Sequence, residues 1–256
     1  MAQVIVITNQ KGGVGKTTTT VNLAAYLAKG GQKVLLVDLD PQGNSTSGLG
    51  VDKNVVEKGL YDVLTREELI QGVRLETGTS NLHLAPSSIV LAAAEVELAS
   101  QIAREHRLKQ AIEKVKHEYD YILIDCPPSL GILTINGLVS ADYVLIPVQT
   151  EFYALEGLSQ LLHTIQRVRI SLNPKLSLLG VLLTMYNKHT LLSRQVEEEV
   201  KKHFPNKVFD TIIPRNIRLA EAPSYGKAIF QYDRFGKGAN AYKTLAKEVH
   251  AKCKQT

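Results

Sequence analysis

Two lysines five residues apart, Lys11 and Lys16, bracket the glycines of NQKGGVGKTTTT, residues 9–20. Glycines at 12, 13 and 15 let backbone N–H groups turn inward around phosphate oxygens, and a helix opening near Lys16 adds its positive end. Lys16 then reaches the β- and γ-phosphates of a nucleotide as a point charge, and Thr17 offers its hydroxyl to Mg²⁺. The candidate phosphate cradle is Lys11, Gly12, Gly13, Val14, Gly15, Lys16, Thr17 and Thr18. The general loop pattern G-x-x-x-x-G-K-[ST] fails at its first glycine, where Gln10 stands. Lys11 precedes the glycines, so its side chain leaves the loop away from the phosphates that the backbone encloses. A second subunit docked face to face could receive it, and a solvated loop lysine is the other reading.

Three aspartates are candidates for the remaining chemistry. Asp38 and Asp40 follow an apolar run in LLVDLDPQGNSTSGLG, at the carboxyl end of a strand, where ligands sit in doubly wound sheets. A pair that merely caps a turn is the alternative, given Pro41 and Gly43. Asp125 ends Tyr121-Ile-Leu-Ile and precedes Cys126-Pro127-Pro128, the layout of a carboxylate that holds Mg²⁺ through water. The metal candidates are therefore Thr17 and Asp125. Cys126 has no second thiol nearby and reads as a small buried residue.

These groups must be positioned by strands and helices in alternation. Val4–Thr8, Lys33–Asp38, Tyr121–Asp125, Tyr143–Pro147 and Leu178–Thr184 are near-continuous apolar runs, as expected of strands buried on both faces of a parallel sheet. Leu158, Leu162, Ile165, Val168 and Leu172 lie on one helical face. Leu98, Ile102, Leu108, Ile112 and Val115 predict a long helix ending near Glu118. Residues 239–253 form a last helix with Tyr242, Leu245, Ala246 and Val249 on one side, expected to pack back on the sheet rather than on a membrane. The fold class is α/β, a single doubly wound, mostly parallel sheet flanked by helices, organised as one domain over residues 1–256.

Composition narrows the setting. No apolar run approaches a membrane span and the start lacks a signal-peptide layout, which points to the cytoplasm. Cys126 and Cys253 form no CxxC, which argues against a disulfide framework, a zinc site or a redox pair. The net charge is +5, yet residues 186–256 hold 14 Lys and Arg against 7 Asp and Glu. Such a basic end suits a polyanion, and equally an ordinary solvated surface.

Lys11-Gly-Gly-Val-Gly-Lys-Thr17 matches KGGxGK[ST], the deviant Walker A motif, and on it the chain resembles the ParA/MinD ATPases. Through DLDPQGNSTSGLG and IRLAEAPSYGK it is most similar to the chromosomal ParA subgroup called Soj, over essentially the whole chain. The resemblance implies a P-loop ATP hydrolase that uses ATP and Mg²⁺. It implies that Lys11 reaches across a nucleotide-sandwich homodimer to the partner's phosphates and that Asp40 positions the attacking water. It places Pro214 and Asn216 beside the purine. It also implies that the ATP-bound dimer binds double-stranded DNA without sequence preference, with Lys188, Arg215, Arg218, Lys227 and Arg234 as the matching cations. A ParB-type centromere-binding protein stimulates slow hydrolysis in that family, whose members work in the cytoplasm on the nucleoid. One departure is that His189 stands where the family usually carries an arginine. The alternative is a MinD-like membrane-cycling positioning ATPase, but LAKEVHAKCKQT buries too little for stable membrane attachment.

Overall fold

The computed structural model describes residues 2–151 and 156–254, the side chains of 156 and 157 excepted. Among them seven strands form one sheet: β1 (Gln3–Ile7), β2 (Val34–Asp38), β3 (Leu75–Glu76), β4 (Leu82–Ala85), β5 (Tyr121–Asp125), β6 (Tyr143–Gln149) and β7 (Ser177–Thr184). Their order is β3-β4-β2-β5-β1-β6-β7, and every pairing is parallel except β3 with β4. Helices alternate with these strands: α1 (Lys16–Lys29), α2 (Asn44–Gly48), α3 (Leu60–Thr65), α4 (Ile70–Val73), α5 (Leu91–Glu97), α6 (Arg107–Val115), α7 (Ile132–Ser140) and α8 (Glu156–Ser171). After β7 come α9 (Leu191–His203), α10 (Ile217–Glu221), α11 (Ile229–Tyr232) and α12 (Lys237–Lys254).

The pleat explains why the strands read as continuous apolar runs. Along β1, Val4 and Val6 enter one core while Ile5 and Ile7 enter the other. Val37 and Ile124 share the first layer, with α5, α6, α7 and α8. Leu36 and Leu123 share the second, with α1 and α12. A strand covered on both faces has no polar side to show. Tyr242, Leu245, Ala246 and Val249 of α12 are all buried in that second layer, so the stripe packs inward as expected. Gln255 and Thr256 of the terminal stretch lie outside the described residues.

The long helix expected to end near Glu118 is instead broken. After α5 the chain runs through a short 3₁₀ turn, reverses at Ala103 (φ 54°) and restarts as α6. Ile102 is 92% exposed rather than on a buried face. Asn136 of α7 holds the break: its Nδ2 donates to the Arg104 carbonyl (2.8 Å), and its Oδ1 accepts from the Leu108 N–H (3.1 Å). Satisfying those two backbone groups from a neighbouring helix replaces the intrahelical bonds that the break gives up.

Candidate nucleotide and metal site

β1, β2 and β5 end together, because Ile7 and Asp38 are both in register with Asp125. The chain leaves β1 into the glycine loop and α1 at this edge, so loop and carboxylates face one another at the carboxyl end of the sheet. The loop turns on Gly13 (φ 75°) and Gly15 (φ 87°), a left-handed backbone that other residues adopt at a cost. A Cβ at Gly12 or Gly13 would meet nothing within 4 Å, which leaves the mouth of the cradle open. Asn9 braces its start, since Asn9 Nδ2 donates to the Pro147 carbonyl (2.7 Å) and Asn9 Oδ1 accepts from the Lys11 N–H (3.0 Å). Thr184 braces its middle by donating to the Val14 carbonyl (2.8 Å).

The two lysines are treated in opposite ways. Lys16 is buried and its ammonium donates to the Lys11 carbonyl (3.0 Å). Burial pushes that ammonium down, and the Asp125 and Asp40 carboxylates oppose the shift. Lys11 turns its amine outward to Glu151 (3.2 Å), with the two side chains 38% and 50% exposed. Glu151 also accepts from Gln149 Nε2. The expectation that the Lys11 side chain leaves the cradle holds, and the group that receives it here belongs to the same chain.

Asp125 is fully buried and ringed by hydroxyls. Ser45 donates to Oδ2 (2.8 Å), Thr20 donates to Oδ1 (3.2 Å), and Thr17 adds a third hydrogen bond. Asp38, also fully buried, accepts from the Thr46 N–H and hydroxyl, both at 2.7 Å. Burial pushes both carboxyls up, and the Asp125 charge raises Asp38 further. Burial beside one another disfavours charge on both carboxyls, and a cation at this end of the sheet would favour the ionised forms. This set of hard oxygens around Thr17 and Asp125 fits Mg²⁺, which takes one or two carboxylates and keeps several waters. Among the described residues there is no group of three or more His, Cys, Asp or Glu that could hold a metal, so such an ion would also need ligands from phosphate or water. Asp40, 6% exposed, accepts from the Gln42 N–H (2.9 Å) at the head of the 40–46 turn. Cys126 is buried and burial pushes its thiol up, as suits an inert side chain.

Beside the loop lies a cavity of 370 Å³ lined by Gly15, Thr18, Pro214, Asn216, Met185 and Tyr242, among others. Pro214 and Asn216 are thus brought to the phosphate loop from some 200 residues further along the chain. A bridge between Tyr186 and Pro214, with the Arg215 N–H donating to the Tyr186 carbonyl (3.1 Å), docks this segment against the end of β7. Asn216 caps α10, its Oδ1 accepting from the Arg218 N–H (2.8 Å). Of the wall residues, Met185, held at φ 51°, carried no signal in sequence, and Tyr242, whose hydroxyl meets Thr19 (3.2 Å), was legible only as part of the apolar stripe of the last helix. Ser45 and Thr46 did leave one, as the polar NSTS run after Asp40.

The matching cations are all exposed. The Tyr186–Pro214 bridge brings the segments bearing Lys188, Arg215 and Arg218 side by side, and Arg218 pairs with Glu221 (3.0 Å). Lys227 follows Gly226, which packs directly on Gly50. Arg234 sits elsewhere, in a groove between α1 and α12.

Residues 2–178 match the family model described as an AAA domain. The sporulation initiation inhibitor protein Soj of Bacillus subtilis is 58% identical over 98% of this chain and 99% of its own length. The chain belongs to the ParA/Soj family of ATPases. The chromosome-partitioning ATPase Soj of Treponema pallidum is 50% identical over 98% of each chain. Among solved structures, cobyrinic acid a,c-diamide synthase from Mycobacterium smegmatis with bound ADP and magnesium superposes with a TM-score of 0.88. It is 38% identical, over 99% of this chain and 96% of that one. No helix among the described residues is long and apolar enough to cross a membrane.

Proposed function

We propose that this chain, acting as one ATPase unit over its length, is a chromosome- or plasmid-partitioning ATPase whose ATP-bound homodimer holds double-stranded DNA without sequence preference. The observation that supports this reading best is the split between the lysines, with Lys16 buried in the field of Asp125 and Asp40 and the Lys11 amine displayed on the surface. Lys16 and the backbone N–H groups of residues 12–18 hold the phosphates of the chain's own ATP, and the cavity at Pro214 and Asn216 takes the purine. Asp125 and the Thr17 hydroxyl would hold Mg²⁺, which would supply positive charge against the charge that develops on the phosphate. Asp40 accepts a hydrogen bond from the attacking water and orients it. Lys11 leaves Glu151 for the terminal phosphate of the partner's nucleotide, so triphosphate joins two protomers.

Dimerisation doubles an exposed basic surface made of Lys188, Arg215, Arg218 and Lys227, which raises affinity for a polyanion through avidity, while Arg234 lies apart from it in the α1–α12 groove. The relatives' names support partitioning as the task. A ParB-type partner that stimulates hydrolysis, and a cytoplasmic, nucleoid-associated location, complete the reading. The membrane-cycling alternative draws no support from α12, whose apolar stripe is committed to the core.

Sedimentation of the wild type and Asp40→Ala proteins with ATP, ADP or no nucleotide, each with and without duplex DNA, tests the switch and its output together. ATP should drive both proteins to dimers that sediment with DNA, and only the variant should stay there. Normal turnover by Asp40→Ala would remove its catalytic role, and DNA binding indifferent to nucleotide would refute the switch.

A further inference from the structure

A second concavity lies away from the phosphate loop: a groove of 500 Å³ between the C-terminal half of α1 and the outer face of α12. Lys29, Arg234, Lys243 and Lys247 line it together with Tyr26 and Phe235, and no carboxylate is among its lining residues. Glu248 of α12 is turned away, accepting from the Asp210 and Thr211 N–H groups at 2.9 and 3.0 Å. Four cations with no counter-charge among them call for an anionic occupant.

The aromatic groups narrow its class. Phe235 is 84% exposed, with the Arg234 guanidinium 5.5 Å from its ring centre. Its backbone is pinned, because Asn240 Nδ2 donates to the Phe235 carbonyl (3.2 Å). Lys29, also of the lining, lies over the Phe230 ring at 4.2 Å. A solvent-facing aromatic on a pinned backbone, among cations lining one groove, offers a stacking platform with phosphate partners beside it. Duplex DNA hides the faces of its bases, whereas a single strand offers them.

We propose that the α1–α12 groove is a second nucleic-acid site that takes a single strand, with a base on Phe235 and phosphates on Lys29, Arg234, Lys243 and Lys247. The lining includes neither Lys11 nor any residue of the phosphate loop, so the proposed site does not draw on the bound nucleotide. That separates it from the duplex surface proposed above, which needs the ATP-bound dimer.

Fluorescence anisotropy with a labelled oligothymidylate of about 20 nucleotides, and with a duplex of the same length, tests this. The protein without nucleotide should bind the single strand. Phe235→Ala should weaken that binding roughly tenfold, the size of one lost base stack, and leave ATP-dependent duplex binding unchanged. Lys243→Glu with Lys247→Glu should flatten the single-strand salt slope by about 1.4, two contacts at ~0.7 each. All three side chains are solvent-facing, so the variants should fold. The proposal is overturned if the single strand fails to bind, binds only with ATP, or binds Phe235→Ala as tightly as wild type. None of those outcomes touches the duplex reading, which stands or falls on its own arm.

Discussion

Replacing Lys11 with alanine should break ATP-driven association while leaving the chain's own nucleotide site intact. The magnitude follows from what Lys11 gives up and gains. In the free protomer it holds Glu151 at 3.2 Å with side chains 38% and 50% exposed. A pair so open to water is worth about 0.5 kcal/mol. Charge-assisted hydrogen bonds to a phosphate sealed between subunits are worth about 2 kcal/mol. Two-fold symmetry supplies the exchange twice, so the net gain is roughly 3 kcal/mol, or about a hundredfold in dimer dissociation constant. Sedimentation equilibrium with ATP and Mg²⁺, in an Asp40→Ala background that suppresses turnover, measures that constant. Glu151→Gln removes the resting pair without removing the cation and should move it by no more than about fivefold. Lys11→Ala protein that associates as tightly as its parent would refute the reasoning.

Two further outcomes are expected. Asp125 is raised from 3.8 to about 6, chiefly by burial; its neutral form favours the metal-free fold below the unfolded value and that contribution is lost as pH rises through about 6. Mg²⁺ takes the ionised form, so the thermal shift that Mg-ADP produces should grow from pH ~5 to ~7, and a shift independent of pH would contradict the assignment. Gly226→Ala places a Cβ 2.5 Å from the Gly50 Cα at a φ of 61°. Left-handed strain plus overpacking should cost about 2–4 kcal/mol in chemical denaturation, and a loss under ~1 kcal/mol would show that the Gly50–Gly226 contact is not tight.

The strands show where sequence reading succeeds. β1, β2, β5, β6 and β7 were each legible to within two residues, because a strand buried on both faces must be apolar throughout. β4 was missed: LHLA is four residues long with a histidine inside, and it becomes a strand because β2 offers it an open edge. The helix expected to end near Glu118 failed for a related reason. Periodicity records which residues are apolar, not that Asn136, from a different helix, supplies the hydrogen bonds that make a break affordable.

Sequence alone determined the phosphate loop, the strand-end aspartates and the basic excess after residue 186, since these depend on residue type at short spacing along one stretch of chain. Only the tertiary structure decided that Lys11 rests on Glu151, that Ser45 and Thr20 enclose Asp125, and that Pro214 and Asn216 stand beside Gly15. It also decided that the basic residues divide between a surface near β7 and the α1–α12 groove. Each of these joins groups many residues apart, and their meeting is set by strand order and packing, which no local pattern encodes.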